Sequence, residues 1–226
     1  HAFTVDLGQT DEDSLESVTE RMLACGARRA DVLDGRAPLA EAGLKVIQAQ
    51  ARYEGGYWNT TGIARPVTVA AILPELEKRK IPVLFHGATG RGNDQVRFEL
   101  GYYANDPNIK VIAPWREWDL NSREELINFA NKYQIQIPKD KRGESPFSTD
   151  ANLLHTSSEG KLLEDPWIEA PEYVYSKTKS LNEANSEPEE IIISFEKGDP
   201  ISINNTKIKP DALLSKLNDI AYHHGV

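Results

Sequence analysis

A five-residue apolar run, Ile81–Phe85, leads into three closely spaced glycines, Gly87, Gly90 and Gly92, and then into a helical pattern. This succession constrains the fold more than any other feature of the chain. The run reads as a buried strand, and Val96, Leu100 and Tyr103 are spaced to share one helix face. A glycine turn between strand and helix is where an α/β sheet places its ligands, because the helix N-terminus offers unpaired backbone N–H groups. The spacing is G-x-x-G-x-G, which is not the G-x-G-x-x-G of a dinucleotide fold. Gly87 and Gly92 enclose four residues as in a Walker A loop, but Asn93 and Asp94 stand where that loop needs Lys and then Ser or Thr. A carboxylate there repels phosphate, so the Walker reading fails.

The residues after the glycines carry more chemistry. Asn93 and Arg97 are four apart and emerge on one helix face. With Thr89 and Asp94 they gather a hydroxyl, an amide, a carboxylate and a guanidinium. Such a set suits a zwitterion, Arg97 forking onto a carboxylate and Asp94 holding an ammonium. The plainer alternative is a glycine-rich turn followed by a capped, solvated first helical turn.

Around this stretch, strands and helices alternate in the manner of a parallel sheet with crossover helices. Phe3–Leu7, Asp31–Asp34 and Ile109–Ala113 read as strands. Asp11–Cys25, Pro38–Ala51 and Val67–Lys80 read as helices, with Pro66 in a first turn and Pro74 bending the last of them. Arg52–Thr61 reads as a structured loop whose aromatics, Tyr57 and Trp58, either shape a pocket wall or simply cover the core. Ser122-Arg-Glu-Glu125 is a capping box, expected to start a helix and to do nothing else. Periodicity fades between Gln134 and Glu190. Then Ile191–Phe195 and Pro200–Ile203 flank Gly198-Asp199 as a hairpin, and Pro210 opens a helix bearing Leu213, Leu217 and Ile220. The change of character places a domain boundary near Pro138, giving an α/β domain over 1–137 and an α+β domain over 138–226.

The net charge of −9 argues against nucleic acid or an anionic membrane as partner. No apolar run approaches the ~18 residues of a membrane span, and no signal peptide is evident. Cys25 is the single cysteine, which excludes an internal disulfide and points to a reducing, cytoplasmic setting. It is expected to pack at a helix end. His223 and His224 do not share a helix face, and no cysteine or acidic cluster joins them, so no metal site is expected. The chain opens on His1 immediately before a strand and closes just past a helix, so it is expected to be cut at both ends.

Five stretches in order resemble the signature motifs of the argininosuccinate synthase family: FTVDLGQ at Phe3–Gln9, YWNTTGIARP at Tyr57–Pro66, HGATGRGNDQVRFEL from His86, IAPWREWDL at Ile112–Leu120, and SPFSTDANLLHTSSEG at Ser145–Gly160. The resemblance implies a nucleotide-binding domain of the ATP-pyrophosphatase type followed by part of a synthetase domain. It implies an ATP-dependent ligase in arginine biosynthesis and the urea cycle, joining citrulline to aspartate through a citrullyl-adenylate, with Mg2+ accompanying ATP and a homotetramer when full-length.

Carried onto matching positions, the family pattern makes Thr89, Asn93 and Asp94 aspartate-binding. It makes Tyr57, Gly62, Asn93, Arg97, Ser148 and Ser157 citrulline-binding, and Val5 and Gly87 ATP-binding. Gly62 stands where some relatives carry serine, so only its backbone could serve, and Val5 replaces the commoner alanine. No residue is assigned as general base. The family's SGGLDTS pyrophosphate loop and ENR segment fall outside these 226 residues, which alone are therefore expected not to release pyrophosphate. A non-catalytic nucleotide or amino-acid binding unit, or another adenylating ATP-pyrophosphatase, is the alternative.

Overall fold

The structure is a computed structural model, and it describes residues 1–9, 14–88, 92–120, 122–135 and 148–226. In chain order the first elements are β1 (Ala2–Asp6), α1 (Leu15–Ala24), β2 (Ala30–Asp34), α2 (Arg36–Gln48), β3 (Arg52–Tyr53), β4 (Tyr57–Trp58) and α3 (Thr60–Lys78). There follow β5 (Val83–Phe85), α4 (Asp94–Asn105), β6 (Lys110–Ile112) and α5 (Arg123–Lys132). The remainder comprises β7 (Ser148–Ala151), β8 (Thr156–Glu159), β9 (Ile193–Glu196), β10 (Asp199–Ile203), β11 (Thr206–Lys207) and α6 (Pro210–His223).

The chain divides into two compact units. The first comprises His1–Asp6, Glu12–Gly35 and Ala64–Glu144; the second comprises Leu7–Asp11, Arg36–Ile63 and Ser145–Val226. Residues 36–63 thus group with the C-terminal part of the chain.

The first unit is built from parallel strand pairs joined by helices. β1 pairs with β2 from Ala2↔Ala30 to Asp6↔Asp34, with α1 as the connection. Ser14 caps α1 by accepting from the Ser17 N–H at 3.1 Å. Cys25 ends that helix but is exposed rather than packed. β5 pairs with β6 in the same parallel sense, from Val83↔Lys110 to Phe85↔Ile112, with α4 between them. Val5, Val69, Leu76, Leu84 and Tyr102 supply the core.

Two further expectations need correction in this unit. Of the run Ile81–Phe85, only Leu84 is buried; Val83 and Phe85, on the other side of the strand, are exposed. The inward face of α4 is also not the one its apolar spacing predicts. Val96, Leu100 and Tyr103 are exposed, Leu100 at 62%, whereas Tyr102 is 2% exposed. The helix turns Gln95, Phe98, Glu99 and Tyr102 inward instead, and the two polar members are held by Arg116. Paired charge on the inner face defeats a reading that looks only for hydrophobes. Gly101 lets the helix approach α3, since a Cβ there would lie 3.1 Å from Val69 Cγ2.

The second unit is antiparallel in its sheets, with β3–β4, β7–β8 and β11–β10–β9 as separate ribbons. The predicted loop at Arg52–Thr61 contains the tight hairpin β3–β4, turned by Glu54 and Gly55 in the left-handed region. In the β9–β10 hairpin the turn falls one residue earlier than expected, at Lys197-Gly198, both with positive φ, as a two-residue turn between twisted strands requires. Pro210 opens α6, whose Leu213 is buried, and the helix packs against α2, where Leu39 and Ala40 are fully buried. The capping box on α5, in the first unit, forms in both directions. The Ser122 hydroxyl accepts from Glu125 N–H at 3.2 Å, and the Glu125 carboxylate accepts from Ser122 N–H at 2.9 Å.

The helix expected over Val67–Lys80 begins at Thr60, so Pro66 lies inside it rather than in its first turn. A proline in the interior removes one i→i−4 bond, and here the carbonyl deprived of its partner is that of Gly62.

Candidate functional site

In the first unit, the candidates Gly87, Asn93, Asp94 and Arg97 lie between the end of β5 and the first turn of α4. His86 N–H bonds the Ile112 carbonyl at 3.2 Å, anchoring the start of the turn to β6. The Ala88 N–H donates to His86 Nδ1 at 3.3 Å, and the ring's Nε2 lies 3.4 Å from Glu99 Oε1. The imidazole therefore belongs to the wall of the turn. At Gly87 nothing among the described residues lies within 4 Å of where a Cβ would be. Thr89 lies outside the described residues. Val5 is buried in β1, where it pairs with Leu33 of β2.

Asn93 occupies the N-cap position of α4 yet makes no capping hydrogen bond with its side chain, and it is exposed. Asp94 and Arg97, one turn apart, do not stand apart as separate anchors. Arg97 Nη1 donates to Asp94 Oδ1 at 3.2 Å, and Arg65, arriving from α3, donates to Oδ2 at 2.6 Å. Burial of Asp94 works to raise its pKa, but the hydrogen bond and charge of Arg65, reinforced by Arg97, outweigh it and hold the carboxyl below its ordinary value. The Arg65 guanidinium also lies 6.0 Å above the Phe98 ring. Two guanidiniums, those of Arg65 and Arg97, thus meet on the one Asp94 carboxylate at the helix entrance. An incoming carboxylate can share a guanidinium with Asp94, and an ammonium can approach Asp94 itself.

Arg65 and Arg116 escape sequence reasoning although both stand in motifs that drew attention, YWNTTGIARP and IAPWREWDL. Arg116 bonds Glu99 at 2.7 Å and Gln95 at 2.8 Å. Their partners are more than fifteen residues away in sequence, beyond the reach of helical spacing.

The second unit presents Tyr57, Gly62, Ser148 and Ser157. Tyr57, at the end of its hairpin, is 42% exposed. Its hydroxyl lies 2.8 Å from Thr61 Oγ1, on the first turn of α3. Thr61 in turn meets His155 Nε2 at 3.1 Å, and Thr60 Oγ1 meets Nδ1 of the same ring at 2.8 Å. The Tyr57 and His155 rings stand edge to face, 6.3 Å apart. A Cβ added at Gly62 would fall 2.4 Å from Asn59 Oδ1, so the Asn59 amide fills the room that a serine side chain would need.

Ser157 sits on β8, opposite Asp150, and Ser148 opens β7, opposite Glu159. The tip joining the strands is tightly held. Asn152 Oδ1 accepts from the N–H groups of Leu154 and His155, Leu153 N–H donates to the Leu7 carbonyl at 2.8 Å, and Asn218 donates to the Leu153 carbonyl at 2.8 Å. Lys177 bonds the Asn152 carbonyl, and burial together with the nearby Arg36 charge lowers its pKa. Leu154 fits against Gly43 of α2, where any Cβ would come within 2.6 Å of it. His155 therefore reaches the hydroxyls of α3 from a fixed base.

Two family models divide the chain between them. The Arginosuccinate synthase N-terminal HUP domain matches residues 1–136, and the Arginosuccinate synthase C-terminal domain matches residues 147–226. The chain belongs to the argininosuccinate synthase family. It is 52% identical to the argininosuccinate synthase of Erythrobacter litoralis over 99% of this chain and 56% of that protein. Identity is 51% with the protein of the same name from Zymomonas mobilis, over 99% of this chain and 55% of the other. It is 50% with that of Novosphingobium aromaticivorans, over 99% and 56% respectively. The chain thus spans about half the length of the curated relatives it matches. Family membership agrees with the α/β reading, the HUP model covering the parallel pairs β1–β2 and β5–β6. Among the described residues no helix is long and apolar enough to cross a membrane.

Proposed function

We propose that this chain is part of an ATP-dependent carbon–nitrogen ligase that joins L-citrulline to L-aspartate, a step of arginine biosynthesis and the urea cycle. The observation that carries the reading is the identity of about half the residues with argininosuccinate synthases over 99% of the chain. The geometry supports it, because the α4 entrance offers paired and opposite charges suited to an amino-acid zwitterion.

In this reading the citrulline ureido oxygen attacks the α-phosphorus of ATP. An oxygen–phosphorus bond forms, the bond to the bridging oxygen breaks, and pyrophosphate leaves. The aspartate amine, having lost a proton, then attacks the ureido carbon of the citrullyl-adenylate, and AMP departs with the former ureido oxygen. Neither step asks for a protein nucleophile. Both ask for orientation, which can supply ~7–11 kcal/mol of a barrier.

Asn93 and Asp94, with Thr89, are proposed to hold aspartate. Tyr57, Asn93, Arg97, Ser148, Ser157 and the Gly62 backbone are proposed to hold citrulline. Pro66 has no N–H to engage the Gly62 carbonyl, which favours that carbonyl as an acceptor for ligand. ATP is proposed to lie against the main chain of Val5 and Gly87, and the space left at Gly87 by the described residues fits such an approach. Mg2+ would travel with the nucleotide's phosphates, since Mg2+ commonly binds through phosphates and few carboxylates. A domain boundary near residue 138, a cytoplasmic location and assembly as a homotetramer when full-length belong to the same proposal. The two family matches ending at 136 and resuming at 147 support the boundary.

The test uses citrulline labelled with 18O in the ureido group, with ATP, magnesium and aspartate. The 226-residue chain is compared with a version extended at both ends by the corresponding segments of the Erythrobacter litoralis relative. Label appearing in AMP from the extended protein is expected, with no turnover by the shorter one. Turnover without label in AMP would remove the adenylate.

A further inference from the structure

The hydroxyl chain behind Tyr57 has a direction. Thr60 is 5% exposed and its hydroxyl has two neighbours, His155 Nδ1 at 2.8 Å and the Trp58 carbonyl at 3.3 Å. A carbonyl can only accept, so the single Thr60 proton goes to Trp58, and Thr60 must accept from the ring. Nδ1 of His155 therefore carries a hydrogen. A neutral imidazole has only one N–H, which leaves Nε2 as an acceptor. Thr61, 3.1 Å from Nε2, donates to it and spends its own proton. Tyr57, 2.8 Å from Thr61, can then only donate to Thr61. The outward side of the Tyr57 oxygen is left with lone pairs alone.

The reverse assignment is poorer. Were Thr60 to donate to Nδ1, its lone pairs would face the Trp58 carbonyl at 3.3 Å, acceptor against acceptor.

We propose that His155, acting through Thr61, fixes the polarity of the Tyr57 hydroxyl, so that Tyr57 meets its ligand as a hydrogen-bond acceptor. It selects an N–H-bearing group, ammonium or ureido, and turns only lone pairs toward a carboxylate. His155 is a positioning and specificity-determining residue, since its tautomer sets which part of the amino acid Tyr57 can hold. The turn Asn152–His155 suits the role: the Asn152 N–H bonds the His155 carbonyl at 2.9 Å, and the Asn152 side chain accepts the His155 N–H at 3.3 Å. The selectivity rests on the reading of Tyr57 as a citrulline contact, whereas the tautomer does not.

Two measurements on this chain test the proposal. The first is long-range 1H–15N correlation NMR at neutral pH on histidine-labelled protein, the His155 ring being assigned by its loss in His155→Gln. A hydrogen on Nδ1 is expected. A hydrogen on Nε2 would reverse every bond in the relay and overturn the proposal, leaving Tyr57 as a substrate residue untouched. The second is calorimetric binding of citrulline and of its decarboxylated analogue to wild type, Tyr57→Phe and Thr61→Val. Tyr57→Phe should weaken both ligands alike, roughly two- to ten-fold, the worth of one hydrogen bond. Thr61→Val, nearly isosteric, frees the phenol to turn and should reduce the preference between N–H donors and carboxylates. An effect of Tyr57→Phe that vanishes with the decarboxylated analogue would mean that Tyr57 grips the carboxylate, which overturns the assigned polarity. No effect on either ligand would remove Tyr57 from the site and sink the proposal together with the reading beneath it.

Discussion

Arg65 Nη2 lies 2.6 Å from Asp94 Oδ2, joining α3 to the first residue of α4 across 29 positions of sequence. The bond to Arg97 on the other carboxylate oxygen is longer, 3.2 Å, and made by a more exposed side chain. The two arginines should therefore divide their work. Arg65→Ala is expected to lower stability more than Arg97→Ala, because it removes the shorter and less solvated partner of a part-buried charge. Urea midpoints of the two variants would show it, and equal losses would refute the division.

Arg97→Ala should be felt in ligand binding instead. Losing a charge-assisted hydrogen bond costs roughly 1.5–3 kcal/mol, about ten- to a hundred-fold in citrulline affinity, with ATP little affected. Unchanged citrulline binding would take Arg97 out of the site.

Asp94→Asn bears on aspartate and on pH dependence together. The folded pKa of Asp94 lies below its ordinary value, so its stabilising effect is present above the unfolded pKa of about 4 and fades as pH falls through the folded one. The wild type should lose stability relative to Asp94→Asn across that acid range. Because the side chain is 35% exposed, the difference is expected to stay below about 1 kcal/mol. Aspartate binding should fall at neutral pH, where the carboxylate is charged. A variant that binds aspartate normally would leave Asp94 a purely structural ion pair.

Asp31 gives a wider acid signature in the same unit. Its hydrogen bond from Arg79, aided by Arg29, lowers its pKa to about 2 from 3.8. Arg79 also bonds Glu75 at 2.6 Å and lies over the Phe3 ring, so the carboxylate is held in a network. The contribution of Asp31 is complete above pH ~4 and disappears between ~4 and ~2. In Asp31→Asn the urea midpoint should vary less over that interval than in wild type. Parallel curves would contradict the assignment.

Much of the local structure is legible from the sequence because it depends on neighbours in the chain. The Ser122–Glu125 box, the Pro210 start of α6 and the β9–β10 hairpin are short-range chemistry, and each forms. The α4 face is not legible, because its inward side carries Gln95 and Glu99, acceptable there only once Arg116 arrives from another element. His155 is hidden for the same reason. Its partners lie more than ninety positions away, and nothing in LLHTSSEG marks it as a relay. Asn93, Asp94 and Arg97 could be grouped because one helical turn joins them. The clamp of Arg65 on Asp94 could not.

Gly8→Ala tests how firmly the β7–β8 tip is seated. Gly8 has φ +77°, and a Cβ there would lie 3.1 Å from Leu153 Cβ and 3.2 Å from Leu153 N. Both the left-handed backbone and the contact penalise a side chain, and a loss of about 1–3 kcal/mol is expected in chemical denaturation. By contrast, the nearest described atoms to a Cβ at Gly62 are those at the end of the Asn59 side chain, which can rotate. A larger loss from Gly62→Ser than from Gly8→Ala would reverse this ranking.

The two prolines inside α3 have a consequence for its motion. Pro66 and Pro74 interrupt the backbone ladder at two places in a helix of 19 residues. Such a helix need not open as one cooperative segment; each interruption is a seam at which local unfolding can stop. The turn before Pro66 carries Thr60 and Thr61, so the hydroxyls behind Tyr57 can be released while the stretch around Val69 and Ile72 stays closed. In amide exchange this would be read as a short, fast-exchanging segment ending abruptly at residue 66. The relay would then be the part of the helix able to loosen for a ligand to enter.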